Sequence, residues 1–132
     1  MSTHCGISVK TEKGYETIYC HHNGYPKYMY PMLMNNYNSE ELASKLIGFG
    51  DASSIDEKLE PTEDYHRFGM PEPGVCMFYG RDRGEPEEDT RPAIYTREEL
   101  LRSFYYAYIF EDGKWSAYAD GKKVTDYTKY KY

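Results

Sequence analysis

No stretch of the chain is apolar for anything near the ~18 residues that a membrane-spanning helix needs, and none is expected. The opening Met1-Ser2-Thr3-His4-Cys5-Gly6 has no basic segment followed by an apolar one. A secretory signal is therefore not expected, and the cytoplasm is the expected compartment. Aliphatic side chains are sparse and tryptophan occurs once. A basic excess is also missing: the net charge is −6. That argues against binding a phosphate backbone directly, which takes a basic face. No Cys-x-x-Cys pair is present, so the usual spacing of a zinc knot is absent. Arg81-Asp82-Arg83-Gly84-Glu85 lacks the spaced glycines and the lysine of a phosphate loop. An Arg–Asp network shaping a turn and a contact for a partner are the two readings of that stretch.

What the chain has is tyrosine, 16 residues against five Phe. Such rings bury a large area but need a partner for the hydroxyl, which suits half-exposed sheet faces and interfaces. With 132 residues the chain is long enough for one domain with a core, and residues 1–132 contain no repeat and no linker. Three cysteines is an odd count. Without a signal segment, free thiols or metal ligands are expected rather than a disulfide framework.

Ile7, Val9 and Thr11 alternate with Ser8 and Lys10, and Tyr15, Thr17 and Tyr19 with Glu16, Ile18 and Cys20, on either side of Glu12-Lys13-Gly14. This is a hairpin signal. A two-residue loop sets Cys5 opposite Cys20, whereas a three-residue loop sets Cys5 opposite His21 and His4 opposite His22. Directly opposed Cβ atoms lie about 4.5–5.5 Å apart. Asn23-Gly24-Tyr25-Pro26 reads as a turn. Pro31 is placed at a helix start, and Ser39 caps a second helix carrying Leu42, Leu46 and Ile47. Asp51 to Gly74 reads as irregular, and Val75–Tyr79 as a short strand. Gly80 to Asp89 reads as a charged, solvated loop. Thr96-Arg97-Glu98-Glu99 is a capping box, and Asp112-Gly113 is the turn of a further hairpin. The ending Tyr127-Thr128-Lys129-Tyr130-Lys131-Tyr132 is an edge strand or a Tyr/Lys tail.

Zinc prefers Cys sulfur and His nitrogen, in fours at structural sites. The candidates are His4, Cys5, Cys20, His21, His22, His66 and Cys76. Strict alternation puts Cys20 and His22 on one strand face and His21 on the other. The competing reading makes the three thiols small buried hydrophobes. A Cys nucleophile needs a nearby His, and Cys5 with His21 is the available pair, but no third orienting group can be named and an enzyme is not expected. Glu85, Glu87, Glu88 and Asp89, with Glu57, Glu60, Glu63 and Asp64, form two acidic groups. They read either as a solvated face or as an imitation of nucleic-acid phosphates that docks on a basic partner.

Four stretches carry a resemblance. Tyr19-Cys20-His21, Asn23-Gly24-Tyr25-Pro26, Leu46 through Ile55, and Gly74 through Glu85 resemble a family of small phage and prophage proteins. Its members read roughly YCHxDGYP, then LIxLGDxSSL, then xAYxRDRGE. The chain departs at His22 and Asn23, where the family has an aromatic residue and Asp, and lacks a glycine soon after Pro26. The resemblance marks Cys20, His21 and the region of Cys76 as shared, which favours a metal. Some members of that phage group resemble type II-A anti-CRISPR proteins, which bind Cas9. The expectation is thus one α+β domain, an antiparallel sheet of about four or five strands with two or three helices on one face. One structural zinc is expected on Cys20, His21, Cys76 and either Cys5 or His4. The expected activity is inhibition of Cas9 or its guide-RNA complex in the cytoplasm of an infected bacterial host, through Glu85, Glu87, Glu88 and Asp89. The alternatives are a phage accessory protein with another host target, or a Cys- or metal-dependent enzyme.

Overall fold

Strand β1 (Cys5–Thr11) turns through Glu12-Lys13 into β2 (Gly14–Cys20). The loop takes the shorter of the two registers, so Cys5 faces Cys20 and Thr11 faces Gly14. Gly14 has φ of 129°, open to a residue without Cβ. The protein is described by a computed structural model over residues 3–130.

Around this hairpin the sheet grows in both directions. β1 pairs in parallel with β6 (Tyr106–Glu111), Ile7 facing Tyr108. β6 returns as β7 (Lys114–Ala119) through Asp112-Gly113. Both turn residues have positive φ, 53° and 78°, as the tight turns that match strand twist require. Asp120-Gly121, with φ of 52° and 78°, repeats the device and adds β8 (Lys122–Lys123). On the other side, β2 meets two strands. Its first half pairs antiparallel with β5 (Ala93–Tyr95), and Cys20 at its end pairs in parallel with Ala52 of β3 (Ala52–Ser54). β4 (Met77–Phe78) lies outside β3. The order is β4-β3-β2-β1-β6-β7-β8, with β5 beside β2.

The fold is a mixture of helices and strands, as expected, but the sheet differs from the one foreseen. Among the described residues it has eight strands and is partly parallel, instead of four or five antiparallel ones. Apart from β8, which follows the Asp120-Gly121 turn, the added pairings join segments far apart in the chain, where no turn residue announces them. Several of the added strands hold only two or three residues, too few to show alternation.

Alternation then sorts the side chains. Cys5, Ile7, Val9, Ile18, Cys20, Tyr108, Phe110, Trp115 and Ala117 form one face. Helices α1 (Pro26–Asn36) and α2 (Glu40–Gly48) cover it with Met29, Leu33, Leu46 and Ile47. Each large apolar side chain buried there contributes about 1.5–3 kcal/mol. α1 begins at Pro26, not Pro31. Pro26 takes the first helical position, where no N–H is needed, while Pro31 sits inside and forgoes one helical bond. Ser39 caps α2, its Oγ accepting from the Leu42 N–H at 3.1 Å. The opposite sheet face carries Tyr15, Ala107, Ile109 and Tyr118, packed under Leu100 of α5 (Arg97–Ser103). Helices therefore lie on both faces, correcting the one-sided arrangement. Thr96 forms the full capping box with Glu99.

The tyrosines packed in or against the core find their partners. The Tyr108 hydroxyl donates to Gly24 O at 2.6 Å and that of Tyr28 to Ile55 O at 2.8 Å. Trp115 Nε1 donates to Tyr37 O at 2.9 Å. The tail forms a single tight turn at Tyr127–Lys129, with Tyr130 against Tyr106. Lys131 and Tyr132 lie outside the described residues.

Candidate functional site

The hairpin brings Cys5 and Cys20 together, both fully buried on the α1/α2 face. Burial, with Cys20 alongside, pushes the Cys5 thiol well above its ordinary pKa. The Cys20 Sγ lies against His22 O and Ser53 O. His21 does not join this pair. The chain stays extended past Cys20, with the His21 and His22 N–H groups donating to Ala52 O and Ser53 O at 3.0 and 2.9 Å. Alternation therefore sends the His21 ring to the face of Tyr19, whose hydroxyl is 2.6 Å from its Nδ1. Cys76 is engaged elsewhere. Its Sγ accepts from the Asp56 N–H at 3.2 Å and lies 3.4 Å from the Tyr37 hydroxyl. Among the described residues no three His, Cys, Asp or Glu side chains are grouped to hold a metal ion. In this arrangement the expected donors Cys5, Cys20, His21 and Cys76 are not gathered around one point, as a tetrahedral zinc would have them.

On the outer face, His4, Tyr19 and His21 form a compact polar cluster. His4 Nδ1 is 2.9 Å from His21 O, and a carbonyl only accepts, so this nitrogen carries the proton. The Tyr19 hydroxyl lies 3.0 Å from it and 2.6 Å from His21 Nδ1. The His4 and His21 rings lie 4.5 Å apart, and His22 meets His21 edge-on at the same distance. His21 is held below its ordinary pKa by burial first, then by His22 and His4. Sequence reasoning named the histidines but missed Tyr19, which orders them; its alternation with His21 was the available signal.

The Arg81-Asp82 pair is architectural. Asp82 takes a two-pronged contact from Arg81, at 2.9 and 3.0 Å, and accepts from the Phe78 N–H at 2.8 Å. Arg81 also donates to Leu59 O and Cys76 O, and its guanidinium lies 5.1 Å from the Phe49 ring. These bonds tie α3 (Tyr79–Arg83) to the irregular segment between β3 and β4. Of the two readings of this motif, the turn-shaping network is the one the bonds describe.

The loop expected over Gly80 to Asp89 is two short helices, α3 and α4 (Glu87–Thr90). Gly84, with φ of 80°, ends the first. Glu87, Glu88 and Asp89 are exposed on α4, and Glu85 leans toward Arg83 at 3.5 Å. Under them runs a cleft of about 410 Å³ lined by Phe49, Arg81, Glu85, Glu87, Arg91 and Pro92. Its floor is rigid. Gly50 has φ of 84° and presses on the Thr90 carbonyl, so that any Cβ would strike backbone, and the Asp51 N–H donates to the same carbonyl at 2.7 Å. The structure thus anchors a run of carboxylates on a short, fixed projection beside an apolar and cationic cleft. Glu57, Glu60, Glu63 and Asp64 are also exposed. No helix among the described residues is long and apolar enough to cross a membrane.

Comparison of the chain with protein-family models, curated proteins and solved structures finds no match.

Proposed function

We propose that this is a protein-binding module whose docking surface is the acidic projection Glu85, Glu87, Glu88 and Asp89. The supporting observation is the anchoring of α4: three exposed carboxylates in consecutive positions stand on a helix whose last residue, Thr90, is buried and bonded to Asp51. A fixed array of like charge repels itself, a cost that becomes useful only against a basic surface. The net charge of −6 points the same way.

The resemblance to phage proteins suggests the target class, and Cas9 or its guide-RNA complex is the target proposed here, in the cytoplasm of an infected bacterium. Cas9 holds nucleic acid in a positively charged channel, and carboxylates seated there would compete with phosphates. No catalytic residue and no zinc enter this reading. The alternative host target differs only in which basic surface is met.

The test is a binding titration of the purified chain against a Cas9–guide complex at two salt concentrations. Tight binding that weakens at higher salt is expected. The triple variant E87K/E88K/D89K should lose at least about tenfold in affinity with its melting temperature unchanged. Equal affinity of the variant and the parent would overturn the docking surface. Absence of binding by the parent would overturn the target, and a pull-down from the host would then identify another.

A further inference from the structure

A cleft of about 440 Å³ opens where the start of β1, the end of β2 and the junction of α5 with β6 meet. Four aromatic rings line it, those of Tyr19, Phe104, Tyr105 and Tyr106, together with the imidazole of His4. The rest of the lining is Thr3 and Ser103. No residue is shared with the cleft under α4. The volume lies within the range of small-ligand sites, about 300–1,000 Å³, which are mostly apolar with a few fixed polar groups.

The walls are held in place by the fold. Phe104 lies against Gly6, where a Cβ would stand 2.6 Å from its ring, so the absence of a side chain lets the ring approach the sheet. Gly24 plays the same part for His4. Its N–H donates to Thr3 O at 2.8 Å, and a Cβ there would meet the His4 backbone at 2.8 Å. The His4 ring is oriented by the bond from Nδ1 to His21 O. Tyr106 meets Tyr105 and Tyr130 at interplanar angles of 85° and 88°, so the rings present surfaces at different angles. The Asp120 N–H donates to Tyr105 O at 2.8 Å, which fixes that backbone and sets an exposed acidic residue beside it.

The lining selects the ligand. It holds no Lys or Arg, so a phosphate or carboxylate would meet no fixed cation. It holds no Asp or Glu either, so a lysine-like ammonium, strongly hydrated, would exchange its waters for too few acceptors. Ring faces carry the negative part of the aromatic quadrupole, and they suit a weakly hydrated cation, of which a quaternary ammonium is the type. Elsewhere the chain sets its own cations over its rings, Arg81 over Phe49 and Arg83 over Phe68 among them. Among the described residues no Lys or Arg stands over Tyr19, Phe104, Tyr105 or Tyr106. The net charge of −6 raises the local concentration of cations.

We propose that this aromatic cleft binds a quaternary ammonium group of the choline type, carried by a free small molecule. The trimethylammonium head rests among Phe104, Tyr105 and Tyr106, and the hydroxyl end lies toward His4 and Tyr19. A lipid headgroup fits less well, because its phosphate would find no partner in the lining. The site does not depend on the α4 projection.

The probe is choline, with its uncharged carbon isostere as control. Each is titrated into the full chain and followed by backbone amide shifts and by the methyl signal of the probe. Choline is expected to bind saturably, with shifts at Tyr19, Phe104, Tyr105 and Tyr106, and with its methyl protons moved upfield as protons above ring faces are. The isostere should bind at least about tenfold more weakly. Tyr105 is 61% exposed, so its variants should melt at the parent temperature. Y105A should weaken choline about fivefold, whereas Y105F, which keeps the ring, should bind as the parent does. Phosphatidylcholine vesicles should not carry the chain down on sedimentation. Equal binding of choline and the isostere, no saturation, shifts confined to other surfaces, or a Y105F loss as large as that of Y105A would each overturn the proposal. So would capture by the vesicles without binding of free choline.

Discussion

His66 and Asp82 meet in the interior, with Nε2 of the imidazole 3.4 Å from Oδ2 of the carboxylate and both side chains almost wholly buried. The Glu72 N–H donates to His66 Nδ1 at 2.9 Å. That nitrogen therefore holds the lone pair, and Nε2 carries the proton toward Asp82 and toward Cys76 O at 3.2 Å. Glu72 closes the loop itself, its carboxylate accepting from the Thr62 hydroxyl and from the N–H groups of Thr62 and Glu63. One aspartate and one histidine thus organise the long segment between β3 and β4, which has no helix of its own and two isolated bridges within it, Lys58 to Val75 and Arg67 to Met70.

The first prediction follows from that economy. Asp82→Ala leaves the Arg81 guanidinium without its two-pronged partner, the Phe78 N–H without its acceptor and His66 Nε2–H with Cys76 O alone. Breaking a buried, hydrogen-bonded charge pair from one side costs about 3–5 kcal/mol. Urea unfolding should show a loss of about 3 kcal/mol, with limited proteolysis cutting first between Asp56 and Gly74. Asp82→Asn, which keeps the shape and one acceptor, should lose less. A variant as stable as the parent would mean that the segment is held by something other than this hub.

Much of the local structure could be read without coordinates because it is written in short-range chemistry. The Thr96 capping box, the Ser39 cap and the Asp112-Gly113 turn stand where their residues put them, since each satisfies backbone groups within three or four positions. The β1–β2 register was open between two choices, and both were named. What escaped depends on distant partners. β5 is three residues with no alternation of its own and exists because β2 lies beside it. The strand expected through Tyr79 stops at Phe78, because the Asp82 carboxylate takes the Phe78 N–H and starts α3. The convergence expected of Cys20, His21 and Cys76 also turns on a long-range point. A strand can show which side chains share a face, but Cys76 goes to the Asp56 and Tyr37 groups that folding delivers to it.

The thiols yield a second prediction. Cys5, Cys20 and Cys76 are free and fully buried, and burial is the foremost cause raising the pKa of Cys5 and of Cys76. Only the thiolate reacts quickly. A thiol reagent at neutral pH should therefore label none of the three in the folded chain within minutes and all of them in urea. Prolonged treatment with a strong chelator should leave the melting temperature unchanged, because the donors are not gathered around one ion. Cys20→Ser should destabilise by about 1–2 kcal/mol through the hydroxyl it buries. Fast labelling in the native state, or a large loss of melting temperature on chelation, would restore the case for zinc at these residues.

The third prediction concerns protons at the outer cluster. His21 is shifted to a lower pKa by burial and by the neighbouring His22 and His4. The unfolded chain, with an ordinary imidazole near about 6.5, therefore takes up this proton more readily than the folded one. Stability from His21 is complete above about pH 6.5 and falls away as pH drops from there to the folded value. Ring-proton titration by NMR should give His21 a midpoint below about 6.5. His22→Gln and His4→Gln should each move that midpoint upward by removing a like charge. A His21 midpoint at or above the ordinary value, or one that ignores both substitutions, would show that the three rings do not share their protonation as their spacing implies.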